Sequence, residues 1–250
     1  MQCDVHELKR FYASPLGRAA RGSIAIGLSR IWRPLPNERL VGLGYALPWL
    51  GELGRGTNRS LAFMPAAQGA QRWPKEGPSR TALVFEEELP LPEASVDRVL
   101  IVHALEHAEQ PVETLREAHR VLAANGRVVV VVPHRRGLWA RFEHTPFGTG
   151  RPWSRNQLAG VVEAAGFTMV DSNDALLFPP LPRVPLERVW RPLDWTGRKA
   201  LSAFSGAIIA VGSKGGGQAV PAEARLLRRR VELPAPLAEP EPLANRVSGG

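Results

Sequence analysis

Residues Val96 to Pro133 constrain the fold more than any other stretch of this 250-residue chain. Arg98-Val99-Leu100-Ile101-Val102 reads as a strand over Val96 to Val102. Pro111 to Leu122 reads as a helix with Leu115, Ala118, His119 and Leu122 on one face, capped in left-handed geometry by Asn125-Gly126. Val128 to Val132 is an unbroken β-branched run, the pattern of a parallel strand buried on both faces. Strand, helix and strand with a single crossover make a right-handed βαβ unit, and the expected class is α/β.

The flanking sequence extends that reading. Val5 to Trp32 carries an apolar helical face (Leu8, Phe11, Tyr12, Leu16, Ile24, Leu28, Ile31) broken at Ser14-Pro15, and Pro34 and Pro36 end it. Short strands are expected at Arg39 to Leu43, Leu61 to Met64 and Ala82 to Phe85, with a helix after Gly44-Tyr45-Ala46 through Leu53. Ser154 to Ala165 reads as a helix with Ser154 as N-cap and Gly166 closing it. Phe167 to Val170 and Ala207 to Val211 are the last strands. Three parts follow: an N-terminal helical segment, 1–38, packing on the domain; the domain itself, 39–215; and a disordered Pro/Ala/Arg-rich tail, 216–250.

Composition sets bounds. One domain with tails suits this length. The formal charge of +8 permits an anionic partner. The cations are dispersed, however, with a tight run only at Arg228, Arg229 and Arg230, so nucleic acid is the less favoured partner. Cys3 is the sole cysteine, which fits a reducing cytoplasm. No segment approaches the roughly 20 apolar residues of a membrane span.

Four motifs could carry chemistry. Gly42-Leu43-Gly44-Tyr45-Ala46 follows a strand and opens a helix, where backbone N–H groups can meet a ligand; a plain tight turn would look the same. Glu86-Glu87-Glu88 follows a strand on the side of the sheet where α/β ligands bind, or is a solvated loop. His103-Ala104-Leu105-Glu106-His107 matches an inverted zinc-protease pattern, H-x-x-E-H. That chemistry needs both imidazoles on one helical face. His103 directly follows a strand, which argues against zinc and leaves a turn or a ligand-lining segment. No metal is expected. Finally, Arg135, Arg136 and Trp139, in the loop that runs on to Phe142, His144, Phe147 and Trp153, could hold an anionic or planar substrate or could simply pack.

Several of these segments, taken in order, resemble the class I methyltransferases that use S-adenosylmethionine, of the type 11-like group. Leu89-Pro90-Leu91-Pro92-Glu93-Ala94-Ser95-Val96-Asp97-Arg98-Val99 resembles their L-P-F-x-D-x-S-F-D-x-V stretch. His103 to His107 resembles H-x-L-E-H, and Leu115-Arg116-Glu117 with Arg120-Val121-Leu122 and Asn125-Gly126-Arg127 resembles the segment that follows. The resemblance spans about Arg39 to Lys214. It implies a Rossmann-like, seven-stranded, mostly parallel sheet with an antiparallel last strand. It implies S-adenosylmethionine at the C-terminal strand ends, near Gly42, Gly44, Tyr45, Ala46, Met64, Pro65, Glu87, Leu89, His103 and Ala104. Glu106, Arg135, Arg136 and Trp139 would face the substrate, and His107 or His144 would serve as base for a methyl acceptor, small molecule or protein, that stays unidentified.

The chain departs from that family at the cofactor. Leu40-Val41 stands where an acidic residue usually precedes the first glycine, and Ala46 replaces the third glycine. Phe85 replaces the usual Asp near adenine. Met64-Pro65-Ala66-Ala67-Gln68 offers no carboxylate for the ribose, with Gln68 as a neutral substitute. Each lost charge-assisted bond is worth roughly 1.5–3 kcal/mol. An inactive methyltransferase-like scaffold is therefore the alternative expectation.

Overall fold

The computed structural model describes residues 3–32, 37–54, 57, 59–181 and 205–215. The chain divides into two units, 1–219 and 220–250, and all the described residues belong to the first. The expected tail, 216–250, lies outside them.

Seven strands form one sheet: β1 (Arg39–Gly44), β2 (Arg59–Pro65), β3 (Thr81–Val84), β4 (Val96–Val102), β5 (Leu122–Pro133), β6 (Thr168–Ala175) and β7 (Ala207–Ser213). Their order is β3-β2-β1-β4-β5-β7-β6. The first five run parallel, while β7 is antiparallel to both β5 and β6. This is the expected Rossmann-like class I arrangement.

The valine run explains why the sheet is covered on both faces. Side chains alternate along a strand. Val129 and Val131 join Leu100, Val102, Ile209 and Val211 in one core, while Val128, Val130 and Val132 join Val99, Ile101 and Ile208 in the other. The first core is roofed by α1 (Val5–Ala13), α2 (Pro15–Ile31) and α3 (Leu47–Leu53); the second by α4 (Pro111–Val121) and α5 (Arg155–Ala164). Ser14 breaks the N-terminal helix as expected. It is extended (φ -72, ψ 160) and its hydroxyl caps Gly17 N–H at the start of α2.

Three details differ from expectation or add to it. Asn125-Gly126 does not cap α4. That helix ends at Val121, Leu122 is already extended, and Asn125 (φ 63) sits inside β5, where the register against β4 shifts. The left-handed residue serves a bulge, and Asn125 N–H and Gly126 C=O both bond Lys214. Second, the links β2–β3 and β3–β4 contain no helix. Third, ion pairs gather at the N-terminal strand ends: Arg98 with Glu38 at 2.9 Å and Arg39 with Asp97 at 2.9 Å. Among the described residues no helix is long and apolar enough to cross a membrane.

Candidate cofactor site

At the opposite, C-terminal end of the sheet, β1, β2 and β4 finish side by side. Gly44 ends β1 with φ +77, and a Cβ there would lie 2.3 Å from Val102 O. Only glycine lets the chain turn this close to β4. Tyr45 N–H then donates to Val102 O at 2.8 Å. Gly42 serves packing: a Cβ would meet Ala46 and Leu50 at 2.8 Å, so its absence lets α3 close on the strand. Met64 and Pro65 end β2, both buried. His103 follows β4 with φ 52, a left-handed conformation that strains a residue with a Cβ and clusters at functional positions.

Buried polar contacts hold His103 in that conformation. Tyr12 Oη lies 2.7 Å from His103 Nε2, and Glu106 Oε1 lies 3.0 Å from Nδ1. Burial, reinforced by the Glu106 charge, pushes the Tyr12 phenol well above its ordinary range, so it is the proton donor. His103 Nδ1–H then donates to Glu106. Gln68 Nε2–H donates to His103 O at 2.7 Å, and Val5 N–H donates to Gln68 O at 2.9 Å. Helix α1 is thus tied down at both ends. Tyr12 also stacks on Tyr45 at 5.7 Å, and Phe147 packs on the His103 ring at 4.9 Å. Burial pushes the Tyr45 phenol up to about 12.

Two buried acceptors in this cluster, Gln68 Oε1 and Glu106 Oε2, have no hydrogen-bond partner. A buried acceptor left unpaired costs about 1–3 kcal/mol, more when charged, so each marks a place where a donor belongs.

The remaining expected residues are spread around this centre. The stretch from His103 to His107 is a turn, so the two imidazoles share no helical face, and both ring nitrogens of His103 face protein partners. Among the described residues no cluster suits a metal ion. His107 packs against Gly150 with Nε2 buried and unpartnered, and burial holds its pKa below 6.5. Ala104 is buried beneath Gly44. Leu89 is buried and its N–H donates to Glu117 Oε1 on α4 at 2.7 Å, whereas Glu87 is exposed beside Gln110 and Glu113. Arg135 and Arg136 are exposed. Trp139 cannot stack on a substrate here: it is fully buried, its indole N–H donating to Phe178 O at 2.6 Å. His144 is exposed and, with Glu7, Arg10 and Glu143, lines a groove of about 490 Å³ between α1 and the loop after β5. The sequence reading missed Tyr12 as a site residue, because on the helical face of α1 it is one apolar-side residue among several.

Residues 41–130, β1 through most of β5, match the family model described as a methyltransferase domain. Over those residues the chain is similar to that family. Solved structures share the fold. A SAM-dependent methyltransferase from Thermotoga maritima superposes with TM-score 0.59 at 18% identity, covering 84% of this chain and 96% of its own. The complex of a Haloferax volcanii methyltransferase with its Trm112 activator gives 0.60 at 18%, covering 85% and 95%. The [4+2]-cyclase SpnF gives 0.52 at 18%, covering 80% and 83%. No curated protein matches the sequence.

The residues at these strand ends fit S-adenosylmethionine in chemistry. Gln68 Oε1 and Glu106 Oε2 are unpartnered acceptors beside the glycine turn, suited to the ammonium and hydroxyl donors of such a ligand. Tyr12, Tyr45, His103 and Phe147 pack against one another beside these strand ends.

Proposed function

We propose that this protein is an S-adenosylmethionine-dependent methyltransferase whose cofactor seat lies under α1. The observation that carries this reading is the pair of unpartnered acceptors, Gln68 Oε1 and Glu106 Oε2, beside the Gly44 turn. Gly44, Tyr45 and Ala46 would hold the cofactor with Met64, Pro65, Gln68, His103 and Ala104. When bound, the cofactor supplies an electrophilic methyl group on a sulfonium, and the protein's part is positioning and exclusion of water. Release of Tyr12 from His103 admits it. The groove of Glu7, Arg10, Glu143 and His144 then receives the acceptor, with His144 the exposed base that takes a proton where the acceptor must lose one. The lone cysteine accords with a cytoplasmic setting.

One observation favours a second reading, a scaffold without catalysis. Pro65 stands at the end of β2, where a carboxylate would hold the ribose, and the site is closed by the protein's own aromatic rings. Thermal unfolding separates the two. S-adenosylmethionine at 100 times its dissociation constant stabilises a binding protein by about 2.7 kcal/mol. The enzyme reading predicts a rise in Tm of several degrees that saturates with ligand; an unchanged Tm at millimolar ligand supports the scaffold.

A further inference from the structure

Tyr45, Met64, Gln68, His103 and Ala104, read above as part of the cofactor seat, are each at most 3% exposed. Surfaces so fully covered leave no room for a ligand, so whatever touches them must first displace their cover. Helix α1 supplies much of that cover. Tyr12, near its end, stacks on Tyr45 and bonds His103. Val5, at its start, bonds Gln68 O and rests on Gly69, where a Cβ would lie 3.2 Å from Val5 Cγ1. Leu8 between them is wholly buried.

The two N-terminal helices are held differently. α2 is fastened along its length. Arg21 O accepts from the Trp49 indole N–H at 3.1 Å, Ser23 Oγ from Leu176 N–H at 2.9 Å, and Gly27 O from the Asn173 amide at 3.0 Å. A Cβ at Gly27 would lie 2.4 Å from Ile209 Cδ1, so this glycine seats α2 directly on β7. α1 is bonded to the sheet at its two ends and joins α2 through one extended residue, Ser14. The corner is tight, since a Cβ at Gly17 would lie 1.8 Å from Phe11 O.

We propose that α1 is an autoinhibitory lid. It swings about Ser14 while α2 stays on the sheet, and the methyl donor enters only when it is open. The proposal rests on the cofactor reading above and adds a gate to it. The dissociation constant observed for the ligand is then the intrinsic one divided by the fraction of chains that are open.

Two variants outside the seat loosen the lid from opposite ends. Val5 is the first residue of α1, a position that suits proline, and Asp4 before it is already extended (φ -65, ψ 147). V5P therefore keeps the helix and removes the N–H that bonds Gln68 O. G17A favours α2 by propensity but sets a methyl group against Phe11 O and forces the corner open. In calorimetric titration of the full chain with S-adenosylhomocysteine, each variant is expected to lower the dissociation constant about threefold or more. In hydrogen exchange without ligand, the α1 amides are expected to exchange as a group ahead of those of α2, and faster still in both variants. If the wild type binds and both variants bind equally or more weakly, the lid is overturned and the cofactor reading stands. Equal exchange in α1 and α2 also overturns it, because α1 then opens only with the whole fold. Absence of binding in all three proteins overturns the cofactor reading instead, while the exchange rates still decide whether α1 opens alone.

Discussion

The residue at the centre of the proposed site is Tyr12. Its hydroxyl donates to a histidine held in left-handed geometry, and its ring stacks on Tyr45. Replacing it by phenylalanine keeps the stacking and removes one buried hydrogen bond, leaving His103 Nε2 unpaired. Y12F is expected to lose about 1–3 kcal/mol of stability. It should also bind S-adenosylhomocysteine more tightly than the wild type, because less has to be broken before α1 moves. Urea unfolding and a binding titration on the same variant check both. Weaker binding by Y12F would instead make the hydroxyl a cofactor contact. Gly44 offers a second test at this scale. G44A places a Cβ 2.3 Å from Val102 O at positive φ, and a loss of roughly 1–3 kcal/mol is expected in the same unfolding experiment.

At the scale of elements, the loop before β4 is held by one side chain of α4. Burial alone would raise the Glu117 carboxyl, but Arg120 and Leu89 N–H hold it below its ordinary range. Glu117 accepts from Leu89 N–H at 2.7 Å and from Arg120, which in turn donates to Leu91 O at 2.9 Å. E117A leaves a buried N–H and a guanidinium without their acceptor, and costs about 1–3 kcal/mol. At about 2–4 °C per kcal/mol for a protein of this size, calorimetry should read a Tm drop of several degrees. The same elements show what was legible in the sequence. Val128 to Val132 announced a two-sided parallel strand, because burial on both faces leaves no polar alternation. Ser14-Pro15 announced the break between α1 and α2, because proline cannot continue a helix. Asn125-Gly126 reads as a helix cap in the sequence, because a cap and a bulge use the same left-handed residue. Tyr12 and Glu117 were hidden, since their partners lie 91 and 28 residues away and no local pattern marks such pairs.

For the whole molecule, histidines that are buried or partly buried link stability to pH. Burial lowers the pKa of His107, His119 and His134 below the ordinary 6.5. As pH falls through about 6.5 the unfolded chain binds protons at these rings while the folded chain does not, so stability falls and then levels off below the folded values. Tm should be lower at pH 5.5 than at 7.5; an equal or higher Tm at pH 5.5 would count against neutral rings at these positions. The central claim, that the strand ends beneath α1 seat the methyl donor, is tested most directly by calorimetric titration of the full chain with S-adenosylhomocysteine. The account predicts saturable binding at one site per chain, weakened in Q68A, which removes an unpartnered acceptor. Absence of heat at millimolar ligand, in the wild type and in Y12F alike, would contradict it.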